Sequence, residues 1–509
     1  MRPVAQAIGV VLTSSVLVLT AGAASARPVD TGGGQVAAIT WEPCLEDPSA
    51  ECGTLRLPID HQRRSLGEFD LAVARRKATD PARRIGVLLI NPGGPGNSGV
   101  DYTIFRQESF SADVRARFDI VGFDPRGVQR TQPVKCSKDL VRRQPSTYPK
   151  SEAEFDALVT YNRELREDCR ERSGPIFDHA DTGATIQDMD AIRRSLGEQK
   201  INYYGLSYGT LMGQQYAERY GDKIRAMVLD SNMDHSLGTA GFAVTEARAA
   251  EDAFTEWVKW CDRATSCALH GKDVTEVWDG LLAKADRGEV RHPDDPSKTI
   301  TAQDIVTSAL GAFHRPVWGP LAQFVMDLDA QQPTQVSAFA ADEVVDHVFP
   351  PVFCEDWHLP VRDFAEYRAL DAAERAVSPH MRGGGRAHSS ITACVGWPDP
   401  VNNPQHRLDI DNAPKILMVN ALHDPATAYS WAANAHRQTR GTTVLLTYEG
   451  WGHGVYGRSA CVDTAVDTYL AKVKTPQRNA RCAAVESAAV DRRLPARSTS
   501  PVTRSLRSP

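Results

Sequence analysis

Gly205-Leu206-Ser207-Tyr208-Gly209 lies between a short apolar run at residues 201–204 and a helix-forming run at residues 210–220. A strand that enters G-x-S-x-G and leaves as a helix is the setting of a nucleophile elbow, where a serine is held on a sharp turn at the end of a sheet strand. The flanking glycines have a steric role. A serine forced into a strained turn needs neighbours without Cβ atoms, so that strand and helix can approach closely. The competing reading is a plain strand-to-helix turn with an idle serine. Three further features, in the chain order such a site requires, decide against it.

Outward from the elbow, apolar runs at residues 69–75, 86–90, 120–123 and 226–229 read as further strands, with a helical pattern at 185–196 among them. They are apolar on both faces, as strands covered by helices on two sides should be. Alternation of this kind over residues 54–234 predicts a mostly parallel α/β sheet. From residue 237 to about 400 the chain is helix-prone, with Trp257, Trp260, Trp278, Trp318 and Trp357 spread through it as core fillers. Strand character returns at 415–420 and 443–447. A strand–helix core interrupted by helices predicts a lid over the carboxyl edge of the sheet. The expected organisation is a core at 27–236, a helical lid at 237–400, the rest of the core at 401–490, and a disordered tail at 491–509, rich in Arg, Pro and Ser.

A serine hydroxyl is a weak nucleophile at neutral pH. It needs a histidine to take its proton and an acid to orient that histidine. In this architecture the chain order is Ser, then Asp or Glu, then His. Two of the fourteen histidines follow the late strands, His436 and His453. His436 lies in a helical run and reads as a solvated surface residue. His453 sits in Gly450-Trp451-Gly452-His453-Gly454, a glycine-rich loop beyond a strand end, and is the expected base. Two acids compete. Asp424, in the turn His423-Asp424-Pro425, is free to point at the His453 loop and is favoured. Asp230 ends the strand after the nucleophile helix and runs into Ser231-Asn232-Met233-Asp234, which reads as the entrance to the insert. His423 precedes the acid and is a poor base.

Asn91-Pro92-Gly93-Gly94-Pro95-Gly96 follows the strand at 86–90. Glycines there let backbone N–H groups approach a developing negative charge. Pro95 has no N–H, so Gly94 and the first amide past the serine, that of Tyr208, are the expected oxyanion donors. A phosphate-binding loop is the alternative, but no Gly-Lys-Ser/Thr follows.

The chain has 509 residues, 42% hydrophobic and 24% charged, with a net charge of −6. That balance offers no electrostatic case for nucleic acid or an anionic membrane as the main partner. Arg2, an apolar stretch from about Ala5 to Leu19 and the small-residue site Ala24-Ser25-Ala26 read as a signal peptide over residues 1–26. The apolar run is short for a membrane anchor. Ten cysteines suit an exported protein. Pairing each with its near neighbour gives Cys44 with Cys52, Cys136 with Cys169, Cys261 with Cys267, Cys354 with Cys394 and Cys461 with Cys482. The rival, a metal site, lacks a C-x-x-C pair or a His/Cys cluster. The expectation is a secreted monomer that needs no metal or organic cofactor.

With these motifs in place, the chain resembles the secreted tripeptidyl aminopeptidases of actinobacteria, a branch of the proline iminopeptidase-like α/β-hydrolases. The likeness rests on Asn91-Pro92-Gly93-Gly94-Pro95-Gly96, Phe123-Asp124-Pro125-Arg126-Gly127, the elbow with Thr210, Asp424-Pro425-Ala426-Thr427, Gly452-His453-Gly454, and Cys461 and Cys482 around Tyr469-Leu470, over residues 36–485. It implies an α/β-hydrolase fold with a mostly parallel central sheet and an inserted helical lid. It also implies a serine exopeptidase that removes short peptides from free N-termini. Thr427 then supports the acid loop, and Arg126 is a structural residue near the site. Glu355 and Asp356, in Phe353-Cys354-Glu355-Asp356-Trp357, match a lid segment whose carboxylates bind the substrate's α-amino group. Ala428 stands where members often have proline, which leaves the acid loop more flexible. The branch also contains esterase-like proteins. An esterase or lipase, an acyltransferase and a non-catalytic binding protein are the alternatives to a peptidase.

Overall fold

The computed structural model describes residues 38–292, 295–330, 344–398 and 400–486. The expected signal peptide and the expected tail at 491–509 lie outside these residues. Ten strands form one sheet: β1 (Glu42–Pro43), β2 (Glu51–Pro58), β3 (Glu68–Arg76), β4 (Gly86–Asn91), β5 (Phe118–Phe123), β6 (Ile201–Leu206), β7 (Ile224–Asp230), β8 (Ile416–His423), β9 (Thr443–Trp451) and β10 (Arg481–Cys482). Their order is β1-β2-β3-β5-β4-β6-β7-β8-β9-β10. From β5 onward every pairing is parallel. The edge pairs β1–β2, β2–β3 and β3–β5 are antiparallel. β4 and β5 are buried along their whole length, as central strands with helices on both faces must be.

Parallel strands need a crossover, and the helices supply it. Helix α1 (Thr182–Ser195) precedes β6, and α2 (Tyr208–Tyr220) follows it. Between β7 and β8 the chain leaves the sheet, and the described residues there form seven helices: α3 (Thr239–Arg263), α4 (Val274–Asp286), α5 (Ala302–His314), α6 (Trp318–Asp329), α7 (Phe349–Asp356), α8 (Phe364–Val377) and α9 (Arg386–Cys394). Helix α10 (Tyr429–Gln438) then joins β8 to β9, and α11 (Ala460–Lys472) joins β9 to β10.

The helical insert has its own apolar core. Trp257, Trp278 and Trp318 are fully buried in it beside Phe254 and Phe313. The sheet has a separate core built on Leu88, Ile120, Val228, Val419 and Tyr469. Trp357 is equally buried but packs on Phe242 and Phe353 at the junction of the two regions. Five disulfides join Cys44 to Cys52, Cys136 to Cys169, Cys261 to Cys267, Cys354 to Cys394 and Cys461 to Cys482. Among the described residues no helix is long and apolar enough to cross a membrane.

Candidate active site

In parallel α/β sheets the loops beyond the carboxyl ends of the strands share one edge, and ligands bind there. Here β4 delivers residues 92–96 to that edge, β6 delivers Ser207, β8 delivers Asp424 and β9 delivers His453. The strand registers align the sources. Asn91 is level with Gly205, and Leu206 with Asp230.

Ser207 has φ 59° and ψ −124°, a region that non-glycine residues rarely enter. Such a conformation costs about 1–3 kcal/mol and persists only where surrounding contacts fix it. Here the fixing contacts are the Ser207 N–H donating to Asp230 O at 2.9 Å and Thr210 donating N–H and Oγ1–H to Ser207 O at 2.8 and 2.6 Å. A Cβ at Gly205 would lie 2.4 Å from Gly209 O, which is the steric need read from the motif. Gly93 has φ 80°, and a Cβ there would lie 2.3 Å from Leu206 O and 2.9 Å from the Ser207 Cβ. The loop after β4 can therefore touch the elbow only as glycine. Tyr208 opens α2, so its N–H has no acceptor within the helix.

Asp424 is fully buried. Its carboxylate accepts from the amides of Ala426 and Thr427 at 2.9 and 3.0 Å and from Thr427 Oγ1 at 3.0 Å. His453 Nδ1 lies 3.1 and 3.0 Å from its two oxygens. Burial works against ionisation of Asp424. The His453 ring and the two amides outweigh it and hold the carboxyl below the usual carboxylate range. A carboxylate at Nδ1 makes that nitrogen the protonated one and leaves Nε2 as the acceptor.

Asp230, the competing acid, is also buried, but it faces the backbone of the same loop. It accepts from the amides of Val455 and Tyr456 at 2.9 and 3.0 Å and from the Tyr204 hydroxyl at 2.8 Å. The loop is held further by Gly454 N–H on Ser231 Oγ at 2.8 Å and by buried Arg458, which donates to His453 O at 2.8 Å. His423 turns away to pair with Asp252 of α3 at 2.7 Å. His436 is half-buried rather than solvated. Its Nδ1 meets Thr443 Oγ1 at 2.7 Å, because the start of β9 packs back onto α10.

Ser207, Tyr208, Gly94, Thr427 and His453 all line one cavity of about 540 Å³. Its roof comes from the insert: Phe242 of α3, His314 at the end of α5, Phe353 of α7 and Arg386 at the start of α9. Trp431 of α10 closes one side. The His314 carbonyl accepts from the His453 backbone N–H at 2.9 Å, and the two rings meet edge to face at 5.2 Å. Burial holds the His314 imidazole well below its ordinary value, so it is neutral beside His453.

Glu355 and Asp356 require a correction. Both are buried in the wall behind the cavity, and neither is among its lining residues. Asp356 accepts from the Thr182 N–H and Oγ1 at 2.8 and 2.6 Å, from Asn403 at 2.7 Å and from the Tyr208 hydroxyl. It anchors the side chain of the residue after the nucleophile and has no face left for a substrate amine. Burial, with Asp181 nearby, pushes its carboxyl up to about 7, and burial does the same for Glu355. Arg126 is buried on Asp188 at 2.7 and 2.8 Å and on the carbonyl of Ile59, which makes it a bracket under the site. His314, Arg386 and Trp431 escaped sequence reasoning. Each sits on an ordinary helical pattern, and only the folded chain brings it to the cavity that holds the serine.

The family described as TAP-like protein matches residues 380–482. The tripeptidyl aminopeptidase of Streptomyces lividans is 30% identical over 483 residues, which cover 88% of this chain and 87% of that protein. The serine protease Hip1 of Mycobacterium tuberculosis is 29% identical over 483 residues, covering 87% of this chain and 91% of that one. Carboxylesterase B, also of Mycobacterium tuberculosis, is 31% identical over 476 residues, covering 87% and 90%. With likeness at this level along nearly the whole chain, and a sheet edge built around a strained serine, the chain belongs to the TAP-like family of α/β-hydrolases and is a serine hydrolase.

Proposed function

We propose that this chain is an exported serine exopeptidase that releases tripeptides, or other short peptides, from free N-termini. The observation that carries the reading is the Asp424–His453 pair, at 3.0 Å, on the same roofed cavity as the strained Ser207. In this mechanism His453 Nε2 takes the Ser207 proton as the oxygen attacks the carbonyl. Asp424 holds Nδ1 and stabilises the imidazolium. The Gly94 and Tyr208 amides receive the oxyanion, and His453 then protonates the leaving amine. Water attacks the acyl-enzyme by the same route in reverse, and Thr427 keeps the acid in place. A cavity of about 540 Å³ falls in the size range of small-ligand sites, which suits a short peptide. Two of the relatives are named for peptide cleavage, which supports a peptide substrate. Export is supported by the N-terminal leader pattern and by all ten cysteines standing in disulfides.

One observation favours a second reading, a carboxylesterase. Among the described residues lining the cavity there is no Asp or Glu to receive a substrate amine, and one relative is named as a carboxylesterase. Turnover of a free-amine tripeptide anilide beside its N-acetylated form separates the two. The peptidase reading expects only the free amine to be cleaved, with the tripeptide as product by mass. Equal turnover of both forms overturns the exopeptidase reading, and cleavage of p-nitrophenyl esters with neither anilide cleaved favours the esterase.

A further inference from the structure

The cavity wall carries a cation that the reaction above does not use. Arg386 is the first residue of α9, and its side chain is exposed on the cavity that holds Ser207 and His453. Among the described residues no hydrogen bond or ion pair engages its guanidinium. Arg315 lines the same cavity, and no carboxylate does. Glu246 of α3 lies behind the turn, but its oxygens take the backbone N–H groups of Arg386 and Ala387 at 2.9 and 3.3 Å rather than the guanidinium. Gly385 packs so tightly on Glu246 that a Cβ there would lie 1.8 Å from Oε2, so the turn is pinned. Burial pushes the Glu246 carboxyl up to about 8, which makes it a weak counter-charge for the arginine. An arginine cannot shed its charge by losing a proton. A planar guanidinium set in a wall and left without a partner matches a carboxylate in two-point geometry.

We propose that Arg386 is a specificity-determining residue that pairs with a carboxylate of the substrate, supplied by an acidic side chain or by the C-terminus of a short peptide. The proposal rests on the serine hydrolase site above and deepens its peptidase reading. It makes the enzyme selective for acidic or short free-acid peptides.

The test uses the full-length purified protein and paired substrates. One series is free-amine tripeptide anilides with Glu or Gln at each position in turn. A second is tetra- and pentapeptides with a C-terminal acid or amide. The wild type should favour the carboxylate member of one pair by about ten- to a hundredfold in kcat/KM, the range of a charge-assisted hydrogen bond. R386Q should bring that pair to parity, and R386K should keep part of the preference. The responding series tells which source of carboxylate is read. No preference in any pair by the wild type, or a preference that survives R386Q, overturns the proposal. Should R386Q fold poorly, the wild-type ratios and R386K decide. A third pair, the p-nitrophenyl esters of succinate and butyrate, separates this proposal from the peptidase reading. If free-amine peptides fail but succinate is favoured in an Arg386-dependent manner, the peptide substrate is wrong and the carboxylate contact stands.

Discussion

Two buried aspartates meet the His453 loop, and they act on different parts of it. Asp424 touches the ring, and Asp230 touches the amides of Val455 and Tyr456. D424N keeps the size of the side chain but can present its N–H₂ to Nδ1, which selects the wrong tautomer. Its kcat should fall by about 10,000-fold, the scale seen when an orienting acid is replaced in this way, with little change in melting temperature. D230N places an amide N–H₂ against donors it cannot satisfy, and should lose about 1–3 kcal/mol of stability with a far smaller loss of kcat. Steady-state kinetics and thermal melts on the two variants check this, and the reverse pattern would exchange their roles. At this scale the sequence was informative where chemistry is local. The elbow, the glycine loop after β4 and the loop around His453 each declare themselves within about six residues. The Tyr208–Asp356 contact did not, because its partners are 148 positions apart and an acid in a helix reads as solvated until something packs over it.

Elements were legible in proportion to how regular their burial is. The strands now labelled β3 to β9 could be read from runs of apolar residues, since a strand covered on both faces leaves a continuous signal. The antiparallel edge was not legible, because strand direction depends on pairing rather than on composition. The insert could be read as helical, but not which face of each helix meets the serine. One disulfide controls that face. Cys354 of α7 and Cys394 of α9 join the two helices that bring Phe353 and Arg386 to the cavity. Replacing both cysteines with alanine should reduce stability by about 2–4 kcal/mol. Because the chemistry sits on the sheet and the contacts to substrate on the insert, KM should rise more than kcat falls. Calorimetry and substrate titration of the double variant measure both. A loss confined to kcat would mean that the bridge does not organise the substrate wall.

For the molecule as a whole, the buried titratable groups set how stability varies with pH. Stability falls with rising pH wherever the folded state holds more protons than the unfolded chain. Burial raises Glu246 to about 8 and both Glu355 and Asp356 to about 7, so the folded protein keeps protons that the unfolded chain has released by pH 5. The stability from these neutral carboxyls is complete below their unfolded values and is lost as pH rises through the folded ones. Buried histidines oppose this at lower pH. Burial lowers His235 to about 4 and His314 well below its ordinary value, so between about pH 4 and 6.5 the unfolded chain binds protons that the folded state does not. The two histidines offset only part of the effect of the three carboxyls up to pH 6.5. Above it the histidines are neutral in both states and the carboxyls act alone, joined by His406, whose hydrogen bond to Glu218 raises it and adds to the same decline. The melting temperature should therefore fall gently from pH 5 to 6.5 and continue to fall between pH 6.5 and 8. The contribution of Glu246 is at most about 1.4 kcal/mol per pH unit. E246Q keeps an acceptor for the amides of Arg386 and Ala387 but cannot ionise, so it should lessen the decline at every pH from about 5 to 8. Melts of both proteins across pH 5 to 8 provide the measurement. A wild-type stability that rises between pH 6.5 and 8 would mean that these carboxyls are already charged in the fold and that the insert holds them through hydrogen bonds alone.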